Sequence, residues 1–246
     1  MNKSTLLQEI NKKPLPKHIA LILDGNGRWA QKRGLPRNLG HKQGAKNLYK
    51  IVQYAYELGI KAVTVYAFST ENWNRPEEEI NYLMEEALKF KEEYKENIKK
   101  QNFRVNIIGE KDRLNQEVLE LIENTNNNTK DNNEFYFTIC LNYGSRQEIT
   151  NAVKEIALKV KNNELDIDSI NQDIITNHLY TKELPPLDLL IRTSGEQRIS
   201  NFLLWQLAYT ELYFTSVYWP DFSKVDLLNA IYHFQNRKRR FGGLDK

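Results

Sequence analysis

Apolar runs alternate with amphipathic stretches along the whole chain. The runs Ile19 to Leu23, Ala62 to Phe68, Phe103 to Ile108, Phe135 to Leu141, Leu187 to Ile191 and Glu211 to Phe214 have the length and composition of strands. Helical spacing fills the intervals, near residues 40–58, 77–99, 112–124, 146–161, 171–179 and 224–238. Strands alternating with helices predict an α/β fold, a central mostly parallel sheet flanked by helices. The runs stay apolar instead of alternating with polar residues, as parallel strands covered on both faces do. No linker and no internal repeat interrupts the pattern, so one domain over residues 1–246 is expected. The most loop-like segment is the Asn-rich patch from Asn124 to Asn133. The long helix after Pro76 carries an apolar stripe of Ile80, Leu83, Met84, Ala87 and Leu88. That stripe suits ordinary core packing or one wall of a hydrophobic tunnel.

In parallel sheets, ligands bind beyond the carboxyl ends of the strands. Four polar segments follow predicted strands: Asp24 to Arg28, Ser69 to Pro76, Asn142 to Arg146, and Arg192 to Ser200. Together they hold arginines, hydroxyls and amides with few acids, the composition of an anion-binding surface. Asp24-Gly-Asn-Gly-Arg-Trp29 is the most specific. Its glycines let backbone N–H groups approach an oxyanion, and Arg28 adds a fork of donors suited to phosphate. Asp24 would repel a phosphate unless a divalent cation lay between them, so the stretch suggests a diphosphate with Mg²⁺ on Asp24. Glu211 stands in an apolar run, where a carboxylate needs a partner or a metal.

Composition narrows the classes. Of 246 residues, 40% are hydrophobic and 11% aromatic, enough for a globular core. No run of 18 apolar residues is present, and Met1 to Ile10 lacks a signal-peptide core, so a cytoplasmic protein is expected. The single cysteine, Cys140, excludes an intrachain disulfide. A net charge of +3 is too mild to argue for nucleic acid. The one dense basic run, Arg237 to Arg240, suits a helix end, a diphosphate contact or an anionic membrane contact.

Several separated motifs then converge. His18 to Ala30, Gly40-His-Lys-Gln-Gly44, Tyr66 to Pro76, Asn142-Tyr-Gly-Ser-Arg146, Asp188 to Glu196, Arg198 to Gln206, Tyr209 to Phe214, Trp219-Pro-Asp-Phe222 and Arg239 to Gly243 occur in one order. In these the chain resembles the cis-prenyltransferases, specifically the bacterial undecaprenyl diphosphate synthases, over roughly residues 17–243. The resemblance implies a six-stranded parallel sheet with a hydrophobic tunnel, working as a homodimer. It implies repeated addition of isopentenyl diphosphate to farnesyl diphosphate, giving a long poly-cis product that carries cell-wall precursors, with peripheral membrane contact through that lipid.

It also implies residue roles. Gly25, Asn26, Gly27 and Arg28 cradle the allylic diphosphate, with Arg37 and His41 beside it. Arg192, Arg198, Ile199 and Ser200 take isopentenyl diphosphate. Asp24 and Glu211 are Mg²⁺ ligands. Ser69, Thr70, Glu71, Trp73 and Arg75 lie on a mobile loop that positions substrate. Trp29 and Trp73 offer aromatic faces to the prenyl chain or to developing positive charge. Asn72 is the family's named proton acceptor. A neutral amide is a poor base, so Asn72 is expected to orient, with the departing diphosphate or Asp24 as alternative acceptors. The Arg240-Phe-Gly242 stretch corresponds to a basic tail that completes the site across the dimer.

Rival readings are weaker. Gly25-Asn-Gly-Arg-Trp-Ala30 matches a dinucleotide fingerprint, but Asp24 would then face the pyrophosphate, and the second run ends in Phe68-Ser-Thr without an acid for the ribose. Residues 34–42 lack the Gly-Lys-Ser/Thr of a P-loop. No Asp-Asp pair occurs, against an all-helical trans-prenyltransferase. A non-catalytic accessory subunit would lack catalytic residues that are present here.

Overall fold

The computed structural model describes residues 3–237, with side chains described for 4–89 and 101–237. Six strands form one sheet: β1 (His18–Ile22), β2 (Ala62–Tyr66), β3 (Phe103–Ile108), β4 (Phe135–Cys140), β5 (Leu189–Arg192) and β6 (Glu211–Phe214). Their order is β3-β4-β2-β1-β5-β6, and every pairing is parallel. The central strands β1, β2 and β5 are buried at every position, the consequence of being covered on both faces. The chain builds outward from β1 to one edge, then returns to lay β5 and β6 on the other side. Strands β1 and β5 therefore flank the point where the winding reverses, and a crevice opens at their carboxyl ends.

Eight helices surround the sheet among the described residues: α1 (Lys3–Ile10), α2 (Asn26–Gln31), α3 (Arg37–Glu57), α4 (Glu77–Lys100), α5 (Gln116–Thr129), α6 (Ser145–Lys161), α7 (Gln172–Thr176) and α8 (Lys224–Asn236). Two were not predicted. Leu6 and Ile10 of α1 are fully buried, and the helix packs on α8. The Gly-rich stretch after β1 winds into the short α2. The Asn-rich patch is not a loop as far as Thr129. There α5 continues, and its polar residues satisfy the open edge of β3. Asn126 exchanges two hydrogen bonds with the backbone of Ile107, and Thr129 exchanges two with Val105, at 2.8–3.1 Å. Asn132 adds a bond to the Phe103 carbonyl at 2.7 Å. An edge strand that would otherwise present unpaired donors and acceptors is thereby closed. Composition alone marks such residues as loop formers, and only the tertiary neighbour reveals the use.

The α4 stripe divides its work. Ile80 and Met84 sit in a core cluster with Phe68, Val118 and Leu121, while Leu83 and Ala87 face a cavity. No helix among the described residues is long and apolar enough to cross a membrane.

Candidate active site

A cavity of about 790 Å³ opens at the carboxyl ends of the strands. Its rim carries Asp24, Arg28, Arg37, His41, Arg75, Arg192 and Arg198. Its deeper wall is apolar: Leu48, Leu83, Ala87, Val105, Ile107, Leu121, Ile139 and Leu141, from α3, α4, α5 and the sheet.

Arg192, the last residue of β5, organises one side of the rim. Its side chain is 4% exposed, and it donates to Asp24 Oδ2 at 2.8 Å, to Ser200 Oγ at 2.8 Å and to the Arg198 carbonyl. Arg28 donates to the other Asp24 oxygen at 3.1 Å and to Glu196 at 2.8 Å, and Glu196 also pairs with Arg198. Burial pushes the Asp24 carboxyl up, but the hydrogen bond and charge of Arg192, with Arg28, outweigh it and hold the group below the usual carboxylate range. Two buried donors here, Arg192 Nε and Ser194 Oγ, have no hydrogen-bond partner, as a site built for an anion leaves them. Gly25 adopts φ +102°, and a Cβ there would fall 2.8 Å from Tyr218 and 3.0 Å from Ser194. The backbone carbonyl of Asp24 accepts from the Trp219 N–H at 3.0 Å, and the buried Trp219 indole donates to the Gly44 carbonyl at 2.9 Å. Tryptophan 219 thus fixes the end of β1 against α3.

A second basic group, two arginines and a histidine, lies on α3 and the turn before α4. Glu79 meets Arg75 at 2.9 Å, His41 Nε2 at 3.3 Å and Arg37 at 3.4 Å. Arg37 also lies over Gly27, where a Cβ would come within 2.7 Å of its guanidinium carbon. Burial lowers the pKa of His41 despite the neighbouring carboxylate. Glu79 is pushed up by burial but more strongly down by Arg75, Arg37 and His41.

The segment predicted to be a substrate loop is a 3-10 turn, Thr70–Asn74. The Ser69 N–H donates to Asn72 Oδ1 at 3.1 Å, so the carboxamide oxygen of Asn72 caps this turn. The Thr70 N–H donates to the Tyr143 carbonyl at 3.1 Å, and Glu71 accepts from Asn201 at 2.9 Å. Ser69, Glu71, Asn72 and Arg75 line the cavity.

Other expected residues lie elsewhere. The Trp73 indole donates to Asn142 at 2.7 Å, packs edge-on against Phe68 and is covered by Arg113 at 4.4 Å. Trp29 donates to Asp221 at 2.7 Å under Arg33 at 4.2 Å. Neither ring lines the cavity. Ile199 packs against the cluster holding Phe202 and Leu203. Glu211 starts β6 opposite Leu189, at the amino end of the sheet, and accepts from Arg237 at 2.8 Å. Strand direction therefore separates Glu211 from Asp24 within one chain, and these two carboxylates do not form a joint metal site there. The predicted Arg240-Phe-Gly242 tail lies outside the described residues.

Residues 22–242 match the family described as "Putative undecaprenyl diphosphate synthase". The chain belongs to this prenyltransferase family. An isoprenyl transferase of Clostridium perfringens is 48% identical over 94% of this chain and 91% of its own. A ditrans,polycis-undecaprenyl-diphosphate synthase of Vibrio parahaemolyticus, named as specific for (2E,6E)-farnesyl diphosphate, is 48% identical over 93% of this chain and 91% of its own. Among solved structures, lavandulyl diphosphate synthase from Lavandula x intermedia, in complex with dimethylallyl diphosphate, matches with a TM-score of 0.89 and 38% identity. It covers 93% of this chain and 99% of that one.

In this prenyltransferase, backbone strain gathers at the same edge. Asn142, Ser194, Ser200, Asn201 and Leu203 all take positive φ, between 48° and 80°, in segments that follow strands. Such residues persist only where surrounding bonds over-determine them. Asn201 receives two N–H groups, from Ser145 at 2.8 Å and Arg146 at 3.0 Å, while its amide reaches Glu71. Sequence reasoning assigned no role to Glu79, Glu196 or Asn201. Glu79 had one legible signal, its position four residues after Arg75 on a helix start. Nothing in sequence spacing brings Glu79 to Arg37 and His41.

Proposed function

We propose that this chain adds isopentenyl diphosphate repeatedly to an allylic diphosphate, farnesyl diphosphate, to make a long poly-cis polyprenyl diphosphate. Undecaprenyl diphosphate, the carrier of cell-wall precursors, is the product favoured by the bacterial relatives. One observation carries the reading: a single cavity joins a rim of arginines to a deep apolar wall. That is the shape required by an amphiphile with an anionic head and a hydrocarbon tail, and the apolar part is the path assigned to the growing chain.

The reaction breaks the C1–O bond of the allylic diphosphate, joins C1 to the terminal alkene carbon of isopentenyl diphosphate, and removes a proton from its C2. Negative charge builds on the departing diphosphate. Arg28, Arg37, His41 and Arg75 are assigned to that group, as preorganised donors where charge develops. Arg192, Arg198 and Ser200 are assigned to the isopentenyl diphosphate. Asp24 fits a site of one carboxylate completed by substrate phosphates and water, the usual manner of Mg²⁺. When bound at Asp24, Mg²⁺ would neutralise charge on the leaving group. Asn72, with its oxygen committed to the turn, orients substrate through its remaining N–H groups. The departing diphosphate is the better proton acceptor. The apolar wall and the turn exclude water that would quench a cationic intermediate.

A homodimer covering the open edge of β6, with Glu211 and the C-terminal tail serving the partner's site, completes the reading. A cytoplasmic enzyme touching the membrane peripherally through its product follows from the same chemistry. The test is incubation of purified protein with farnesyl diphosphate, labelled isopentenyl diphosphate and Mg²⁺, beside EDTA and Asp24→Ala controls. A ladder ending near undecaprenyl length, lost in both controls, supports the reading. No incorporation by folded wild-type protein overturns it.

A further inference from the structure

Glu79 gathers two arginines and a histidine assigned to the allylic diphosphate, yet it is not positioned to react with anything. It is the third residue of α4, its side chain is 14% exposed, and its N–H donates to the Pro76 carbonyl at 3.0 Å. One oxygen meets both Arg75 at 2.9 Å and His41 at 3.3 Å, and the other meets Arg37 at 3.4 Å. The approach of His41 lacks hydrogen-bond alignment and burial favours its neutral ring, so Arg37 and Arg75 carry the positive charge that Glu79 balances. Arg37 in turn rests against Gly27, in the first turn of α2 after Asp24. Arg37, His41 and Arg75 all line the cavity.

We propose that Glu79 is a built-in counter-anion that occupies the cation cluster in place of the diphosphate and competes with it, setting how tightly the allylic head group is held. This rests on the reading of the cavity as a diphosphate site. The physical argument is that a cluster of cations without an anion repels itself and is costly to keep partly buried. A carboxylate relieves that repulsion in the free protein. A diphosphate offers more charge and more oxygens to the same guanidinium groups, so it exchanges for the carboxylate instead of adding to it. An enzyme that must release a long-chain diphosphate gains from such exchange, because a returning anion lowers the barrier to dissociation. Glu79 is thus a specificity and positioning residue, acting through Arg37, His41 and Arg75.

The test is binding of inorganic diphosphate, measured by calorimetry on wild-type protein and on Glu79→Gln, which keeps the shape and removes the charge. The competing role predicts about tenfold tighter binding by Glu79→Gln, equivalent to about 1.4 kcal/mol. The KM for farnesyl diphosphate should fall in parallel, without a rise in kcat. Equal or weaker binding by Glu79→Gln overturns the inference, since a residue that merely orders the arginines would weaken binding when lost. Glu79→Ala, which also removes the hydrogen-bonding amide, must move the affinity in the same direction; opposite movement likewise overturns it. Wild-type protein that binds no diphosphate and incorporates no isopentenyl diphosphate sinks the functional reading itself, a result distinct from unchanged affinity in an active enzyme.

Discussion

Asp24 and Glu79 each hold arginines at this rim, and they are held differently. Asp24 stands at the end of β1 and is gripped by Arg192, which is itself almost wholly buried at the end of β5. Glu79 stands at the start of a helix and gathers Arg37, His41 and Arg75 from α3 and a 3-10 turn. The first cluster is anchored in strands that pair residue for residue across the winding reversal. The second is anchored in segments whose geometry depends on helix packing, and Arg37 is half exposed. Strand ends give a fixed frame for chemistry. Helix starts and turns give a frame that can exchange one anion for another.

The sharpest way to break this contrast is Arg192→Lys. An ammonium cannot bridge Asp24, Ser200 and the Arg198 carbonyl together, so isopentenyl incorporation should fall on the order of 10³-fold with the fold retained. A loss below tenfold would mean the strand-end cluster is no more exacting than the helical one.

The rigidity of the strand frame is open to a pH test at its other end. His18 of β1 is buried between Thr64 Oγ1 at 2.7 Å and the Pro185 carbonyl at 2.9 Å, and burial lowers its pKa to about 4. The unfolded chain takes up this proton near pH 6.5 and the folded chain only near 4, so stability is full above 6.5 and declines as pH falls through that window. The loss attributable to His18 is about 3 kcal/mol by pH 4. Denaturant titrations at pH 7 and pH 4, on wild type and His18→Gln, should show the variant losing less. Equal losses would argue against this origin.

Gly27→Ala should sharpen the contrast from the helical side. Its Cβ would displace the Arg37 guanidinium, raising the KM for farnesyl diphosphate about tenfold while the melting temperature stays within a few degrees. An unchanged KM would detach Arg37 from the substrate. The smallest expected effect is that of Trp73→Phe. The ring packs under Arg113 and against Phe68 outside the cavity, so kcat should change less than about threefold while stability drops by about 1 kcal/mol for the lost bond to Asn142. A large fall in kcat alone would return Trp73 to the substrate.

Much of this was legible beforehand. Buried strands announced themselves because a strand covered on both faces must be apolar throughout, and the polar segments that follow β1, β2, β4 and β5 did meet at one edge. Helix α2 and the last turn of α5 were not legible. The former was disguised by glycines, and the latter by Asn126 and Thr129, whose partners are backbone groups of a strand about twenty residues earlier. The aromatic faces of Trp29 and Trp73 looked available because sequence does not record which neighbours cover a ring.

The sequence by itself determined the alternation of elements, the parallel sheet, and the pairing of an acid with glycines and an arginine at the end of β1, since each follows from local period and residue chemistry. Tertiary structure alone decided which charges meet. Asp24 and Arg192 are 168 positions apart and touch because their strands are neighbours. Glu211 and Asp24 stay apart because their places are at opposite ends of parallel strands. Coulomb interaction depends on distance through space, and only the packed chain sets that distance.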